Sequence, residues 1–217
     1  HHSAESYISR LVDQGFRVVV ADQIEDPKQA KGIVERAVTR VITPGTLIDE
    51  PLLDDTMPSV LGCVAFLDAG DAPDARTSGA VIELSTGRFG VFACTTRDLP
   101  DELSRRGVRE LLCAKNGDGD LPQRAQNLGD ALAVPLTGKA MWHYRPDEAL
   151  EALRSHFGVT TLAGFGLADD DEVILPAGVI LRHLRETYLQ AHSRQLADRE
   201  GANEAAQVLA RRSLGHI

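Results

Sequence analysis

The sequence GAVIELSTGRFGVFAC, residues 79–94, contains two apolar runs on either side of the polar tripeptide Ser85-Thr86-Gly87. Apolar runs bounded by turn residues predict strands, and Gly87 can adopt the positive φ that a tight hairpin needs. The upstream run SVLGCVAFL, residues 59–67, is typical of a strand buried on both faces. The middle of the chain therefore begins with three consecutive predicted strands.

Helices and strands alternate after this hairpin. Leu99 to Arg106 predicts a short helix, and Glu110 to Ala114 predicts a strand. Residues 116–130 are rich in Gly and Asp and predict a loop. A further strand is expected over Ala140 to Tyr144, and a helix over Pro146 to Phe157. Three strands followed by alternating helices and strands indicate an α/β sheet covered by helices.

The first 45 residues predict a smaller unit. Ser3 to Gly15 has helical apolar spacing, Phe16 to Ala21 is expected to be a strand buried on both faces, and Glu35 to Ile42 predicts a second strand. The aromatic side chains Tyr7 and Phe16 are expected in the core. Residues 46–58, with two prolines and four acidic residues, indicate a linker.

Composition excludes several protein classes. The chain has 217 residues, 43% of them hydrophobic, and a formal net charge of −9, which is ordinary for a globular protein. Residues 1–45 are neutral overall and residues 46–167 carry a net charge of −7, so a free-standing nucleic-acid binder with a basic surface is disfavoured. No apolar run is long enough to span a membrane. Three isolated cysteines favour a reducing, cytosolic compartment.

Common catalytic motifs are missing from the sequence. There is no phosphate-binding loop, no nucleophile elbow and no zinc-protease helix. Asp68 after the first middle strand and Glu83 in the second allow one alternative, a ribonuclease H-like nuclease with two metal ions. The same two acids can equally be solvated residues at strand ends.

Several motifs follow one another in a fixed order along the chain. They are VVVADQIEDP at residues 18–27, KGIVERAVTRVITPGT at residues 31–46, ELSTGRF at residues 83–89 and PAG at residues 176–178. This ordered set resembles the MutS family of DNA mismatch repair proteins. A run this long is far more specific than an isolated glycine motif.

The resemblance implies a fold and a domain organisation. We expect an α/β fold, with a ribonuclease H-like connector domain preceded by part of an α+β domain and followed by long α-helices. The implied domains are the C-terminal part of a mismatch-recognition domain over residues 1–45, a linker over 46–58, the connector over 59–167 and the start of a helical core or lever domain over 168–217.

The resemblance also implies what the whole protein does. It is expected to bind mismatched double-stranded DNA, to couple binding to an ATP-driven clamp switch, to act as a homodimer and to recruit MutL in the cytoplasm, with no membrane partner. This segment is expected to hold no catalytic site, no metal and no cofactor. ATP and Mg²⁺ belong to a part of the protein outside it.

Four basic side chains are the candidates for contact with the DNA backbone. In the family this first segment lies near bent DNA, so the resemblance implies that some of its basic side chains contact phosphates. The candidates are Lys28, Lys31, Arg36 and Arg40. The alternative is that these charges face water, as strand arginines usually do.

The outer side of the helix over residues 146–157 is the candidate docking face for MutL. Its residues are Asp147, Glu148, Glu151 and Arg154. The alternative is a plain solvated helix face. A third interpretation of the whole chain is a stand-alone acidic protein-binding module without a DNA role.

Overall fold

The computed structural model describes residues 2–23, 34, 36–46 and 59–192. Its elements are α1 (His2–Asp13), β1 (Val18–Gln23), β2 (Arg36–Ile42), β3 (Val60–Phe66), β4 (Arg76–Glu83), β5 (Arg88–Thr95), α2 (Leu99–Arg105), β6 (Val108–Ala114), α3 (Gln123–Leu132), β7 (Leu136–Lys139), α4 (Pro146–Phe157) and α5 (Ile174–His192). Short 3₁₀ turns cover Met141–Tyr144 and Ala163–Phe165. We call the described residues up to 46 the N-terminal unit and residues 59–192 the sheet unit.

The N-terminal unit is α1 packed on an antiparallel pair of strands. β1 and β2 run from the pair Val18–Ile42 to the pair Gln23–Arg36, with a bulge after Val20. Its small core contains Ile8, Val12 and Ile42. α1 ends as predicted, because Gly15 has a φ of +85°, a conformation that suits glycine after a helix.

The prediction that the first strand is buried on both faces is wrong. Val19 and Phe16 are both 56% exposed, and Tyr7 on α1 is 65% exposed. The reason is that α1 contacts β1 and α5 contacts β2, and these helices leave the Phe16 and Val19 side chains open to solvent. An apolar run does not say how many layers will pack on it.

The sheet unit has five strands in the order β5-β4-β3-β6-β7. β5, β4 and β3 are antiparallel neighbours, and β6 and β7 run parallel to β3. The predicted hairpin is confirmed: Glu83 pairs with Arg88 across the turn, and Gly87 has a φ of +73°.

Helices cover both faces of this sheet. α2 and α3 pack on one face around Val64, Leu103 and Leu111. α4 and α5 pack on the other face around Leu61 and Leu112. The prediction of an α/β sheet covered by helices is confirmed, and the structure adds that the helices form a layer on each face.

α5 belongs to the core of the sheet unit. Ile174, Ala177, Ile180 and Leu184 are buried in the same cluster as residues of β3, β4 and β6. The predicted boundary after residue 167 stays a prediction. However, the described part of the segment assigned to the core or lever domain packs on the sheet as one of its layers.

Two local predictions are wrong. Residues 116–130, expected to be a loop, contain the start of α3, whose Ala125 and Leu128 are buried against the sheet. The last strand is Leu136–Lys139, and the residues expected to form it, 140–144, mainly form a 3₁₀ turn. β7 is a short edge strand, and its pairing with β6 rather than its own four residues decides where it lies.

None of the helices in the described ranges has both the length and the apolar character needed to cross a membrane.

Candidate functional site

The turn Thr43-Pro44-Gly45-Thr46 is buried at the boundary between the two units. The hydroxyls of Thr43 and Thr46 lie 2.7 Å apart, and the Thr46 hydroxyl accepts a hydrogen bond from the backbone N–H of Thr43 at 3.2 Å. The backbone N–H of Thr46 donates to the carbonyl of Thr43 at 3.1 Å. These bonds close the turn on itself and leave the N–H of Gly45 directed towards the sheet unit.

Glu110 accepts the hydrogen bond from that N–H. It lies on β6, is 1% exposed, and its carboxylate accepts from the Gly45 N–H at 3.2 Å. The hydroxyl of Thr137 on β7 donates to the same carboxylate. The guanidinium of Arg17 donates to the Thr137 oxygen and lies 3.7 Å from the Glu110 carboxylate. We call this set, Glu110, Gly45, Thr137 and Arg17, the Glu110 joint.

Further contacts hold the two units together around the joint. The Ser59 hydroxyl donates to the Pro44 carbonyl, and Arg109 on β6 pairs with Asp13 of α1 at 3.4 Å. A Cβ atom on Gly45 would lie 2.9 Å from the Cβ of Glu110, so only glycine allows this approach. A buried carboxylate is tolerated only when it is paired and hydrogen-bonded, and here the partners come from both units.

Glu110 was missed as a functional residue by sequence reasoning. The signal was present, because Glu110 is the acidic first residue of the apolar run ELLCA, residues 110–114. An acidic residue near the start of a strand is usually solvated. Glu110 is buried only because residues 43–46 pack against it.

A group of polar side chains from β7, the 3₁₀ turn and α5 lies next to the joint. The Nζ atom of Lys139 is 2.8 Å from the Glu186 carboxylate, and Nδ1 of His143 is 3.5 Å from it. Burial, and to a smaller extent the positive charges of Lys139 and Arg17, lower the pKa of His183 to about 3. Burial likewise lowers the pKa of His143.

The described residues do not support the nuclease alternative. Asp68 follows the end of β3, where the backbone N–H and guanidinium of Arg76 bind its carboxylate at 2.8 and 3.2 Å and hold its pKa below its usual value. Glu83 pairs with Val60 at the other end of the same two strands, about 20 Å away. Within the described part of the chain, no three His, Cys, Asp or Glu side chains are placed to hold a metal ion.

The three cysteines do not form a reactive centre. Cys63, Cys94 and Cys113 are free thiols. Burial raises the pKa of Cys63 and Cys113, so both remain protonated and unreactive.

The DNA-backbone candidates lie on or near the β1–β2 hairpin. Lys28 and Lys31 fall outside the described residues. Arg36 opens β2, is exposed and pairs with Gln23, and Arg40 lies opposite Val20. Their contact with phosphate stays a prediction.

The docking candidates on α4 divide into two pairs. Glu148 forms ion pairs with Arg145 at 3.0 Å and with Arg182 of α5 at 2.7 Å, and Arg154 pairs with Asp169 at 2.6 Å. Asp147 and Glu151 are exposed, and neither forms an ion pair with another described residue. Two of the four candidates therefore fasten α4 to its surroundings, and two are available to a partner.

Comparison with known proteins gives two family matches. Residues 1–51 match the model of MutS domain I, and residues 61–196 match the model of MutS domain II. The DNA mismatch repair protein MutS of Myxococcus xanthus is 39% identical over 190 residues, which cover 86% of this chain and 20% of that protein. The MutS protein of Chlorobium phaeovibrioides is 34% identical over 187 residues, covering 86% and 21%.

The chain thus spans about a fifth of the length of these relatives. Among solved structures, the catalytic core domain of BIV integrase is 18% identical, with a TM-score of 0.28, and covers 62% of this chain and 97% of that one. This similarity is too low to assign a fold.

Proposed function

The chain belongs to the MutS family of DNA mismatch repair proteins, and we propose that it couples the mismatch-recognition region of such a protein to the rest of it. The observation that carries the proposal is the Glu110 joint. A buried carboxylate that binds groups of both units transmits a change of orientation from one unit to the other more directly than a solvated linker does. In this proposal residues 1–45 end the recognition domain and residues 59–167 are the connector.

The strand order supports a ribonuclease H-like connector. Three antiparallel strands, β5-β4-β3, continue into two parallel strands, β6 and β7, with helices on both faces. In this proposal the fold serves as a scaffold, because Asp68 and Glu83 lie too far apart to share a metal ion.

The binding partners follow from the family. Mismatched double-stranded DNA is proposed to meet the hairpin side, where phosphate contacts from Lys28, Lys31, Arg36 and Arg40 position the duplex without reading its sequence. ATP and Mg²⁺ are proposed to bind outside this segment and to drive a clamp switch in a homodimer. Three free thiols fit a reducing cytoplasm.

MutL is proposed to dock on α4. Asp147 and Glu151 are one helical turn apart and therefore share a face, and both are exposed. Glu148 and Arg154 fix the helix beneath them. Membership in a mismatch repair family disfavours an acidic binding module that has no connection with DNA.

The coupling proposal is tested in a complete protein that carries this segment together with its ATPase region. Glu110→Gln keeps the shape of the side chain and removes its charge. We expect mismatch affinity within about twofold of the unchanged protein, and ATP-induced release from the mismatch at least about tenfold slower, a factor that corresponds to about 1.4 kcal/mol.

Asp74→Asn is the control, because Asp74 is exposed in the loop between β3 and β4, at the end of these strands opposite to the joint. Equal losses of DNA affinity and ATP response in Glu110→Gln would indicate a folding defect instead. Unchanged ATP-induced release would contradict the coupling role of the joint.

A further inference from the structure

The loop between β6 and α3 carries the dipeptide Asn116-Gly117 on its surface. Residues 116–120 are all exposed. An asparagine side chain can be attacked by the backbone nitrogen of the following residue, and glycine hinders that approach least because it has no Cβ atom. The local structure around this pair decides whether the reaction takes place in the folded protein.

The attacking atom, the backbone nitrogen of Gly117, is accessible to solvent. Its N–H donates no hydrogen bond to another described residue. A Cβ atom built on Gly117 would have no neighbour within 4 Å, so the space around this residue is open. Hydroxide and water can therefore reach the nitrogen that must lose its proton.

The Asn116 side chain is weakly restrained. Its amide has no hydrogen-bond partner among the described residues. The Asn116 backbone N–H donates to the Asp120 carbonyl at 2.7 Å, and the Asn116 carbonyl accepts from the Gly119 N–H at 3.0 Å. Both bonds belong to an exposed turn outside the helices and strands, where local opening costs little free energy. Asn116 can therefore rotate into the conformation that the attack requires.

Asn127 provides a contrast within the same chain. It is also exposed, but it lies in the middle of α3, where the backbone nitrogen that follows it is held in the helical hydrogen-bond pattern. Its side-chain oxygen accepts a hydrogen bond from the Gln123 amide at 2.9 Å, and the next residue, Leu128, is buried. Exposure alone therefore does not make an asparagine reactive.

We propose that Asn116 is a site of spontaneous deamidation in the folded protein. The Gly117 nitrogen loses its proton to hydroxide and bonds to the side-chain carbonyl carbon of Asn116, while the amide nitrogen takes a proton from water and leaves as ammonia. Water then opens the cyclic imide at either carbonyl. Breaking the new bond gives aspartate, and breaking the original peptide bond gives isoaspartate, so water is the only co-reactant.

The modification changes the charge and the shape of this loop. Either product adds a carboxylate close to Asp118 and Asp120, and isoaspartate also lengthens the backbone within the turn. The loop lines a surface cavity together with Gln126 of α3 and Gly138 of β7. The cavity therefore becomes more negative as the protein ages, while the core beneath it keeps its contacts.

The test follows the 217-residue chain during incubation in mildly alkaline buffer. Peptic digestion in acid, which stops the reaction, and mass spectrometry measure the deamidated fraction at each asparagine. We expect Asn116 to react at least about tenfold faster than Asn127, because only Asn116 precedes a glycine in an open turn. The rate at Asn116 is expected to rise with pH, because the first step consumes hydroxide. Equal rates at the two asparagines would overturn the inference.

A glycine substitution tests the route. Gly117→Ala is expected to slow deamidation of Asn116 at least about fivefold, since a Cβ atom restricts the conformations that allow attack. Gly164→Ala, which also places its Cβ in open space, is the matched control and is expected to react at the original rate. An unchanged rate in Gly117→Ala would overturn the inference.

Two further outcomes would also overturn it. One is deamidation of Asn116 in the chain unfolded by urea but not in the folded chain, which would mean that the turn protects the residue. The other is a deamidated chain that purified protein-isoaspartyl methyltransferase does not methylate, which would exclude the imide. Methylation that increases with the deamidated fraction at Asn116 is the result expected.

Discussion

The N-terminal unit and the sheet unit are stabilised in different ways. The sheet unit has a core on each face of its sheet, formed with helices of its own. The N-terminal unit buries chiefly Ile8, Val12 and Ile42 in its interior and exposes Phe16 and Val19. It is attached to the sheet unit by the polar contacts of the Glu110 joint and by the packing of β2 against α5. The comparison suggests that the larger unit folds by itself, whereas the smaller one depends on its contact with the larger.

The largest expected effect is a cavity in the sheet unit. Leu112 on β6 is fully buried under α4 and α5, so Leu112→Ala is expected to lower the free energy of unfolding by about 3 kcal/mol. Urea denaturation followed by circular dichroism measures it. Leu11→Ala on α1, where the side chain is 43% exposed, is expected to cost less than about 0.5 kcal/mol. Similar losses of unfolding free energy in the two variants would contradict the difference in core packing between the two units.

The next effect tests the contact between α4 and α5. A Cβ atom on Gly178 would overlap the backbone of Ala149, with its carbonyl oxygen at 2.6 Å. Because a backbone cannot move aside as a side chain can, Gly178→Ala is expected to destabilise the sheet unit by about 2 kcal/mol. Gly164→Ala, where a Cβ has open space, is the control and is expected to change the melting temperature very little.

A smaller and local effect is expected at the joint. Glu110→Gln in the 217-residue chain leaves the sheet core intact but weakens the acceptor of the Gly45 N–H. Hydrogen exchange followed by NMR is expected to show the Gly45 amide exchanging about tenfold faster, since bonds to charged groups contribute more than neutral ones, while amides of β3 and β4 keep their rates. Faster exchange throughout the sheet would mean that the two units unfold together.

The smallest effect at neutral pH concerns His183, near the boundary of the two units. Its folded pKa of about 3 lies below the ordinary histidine value of 6.5, so the unfolded chain takes up the proton more readily. This histidine therefore costs no stability above pH 6.5, and stability is lost as the pH falls from 6.5 towards 3, by at most about 1.4 kcal/mol per pH unit.

Replacing His183 tests whether this histidine causes the loss of stability at acid pH. His183→Leu is expected to flatten the fall of the urea midpoint between pH 6.5 and 4.5. Met141→Leu, which changes an exposed side chain and no titratable group, is the control and is expected to keep the wild-type slope. An equal slope in His183→Leu would show that other groups account for the acid sensitivity.

Several features of the candidate site could be read from the sequence and others could not. The turn at residues 43–46 stands out as a motif, but its burial depends on β6 and β7, which follow more than sixty residues later. The acids of α4 were predicted on one face, yet Glu148 is engaged by Arg182 of α5. Trp142 was placed in a predicted strand, and its exposure becomes visible only once β7 is seen to end at Lys139.

The sequence alone determined the local structure and the family. The spacing of apolar residues and the position of turn glycines act over a few residues. The hairpin at Ser85-Thr86-Gly87, helix α4 and the ordered motifs could therefore be recognised in the sequence. Tertiary structure alone decided which faces are covered, that Asp68 and Glu83 lie at opposite ends of two strands, and that Glu110 is buried. The physical reason is that burial and pairing are properties of neighbours in space, and residues such as Gly45 and Glu110 meet only after both units have folded.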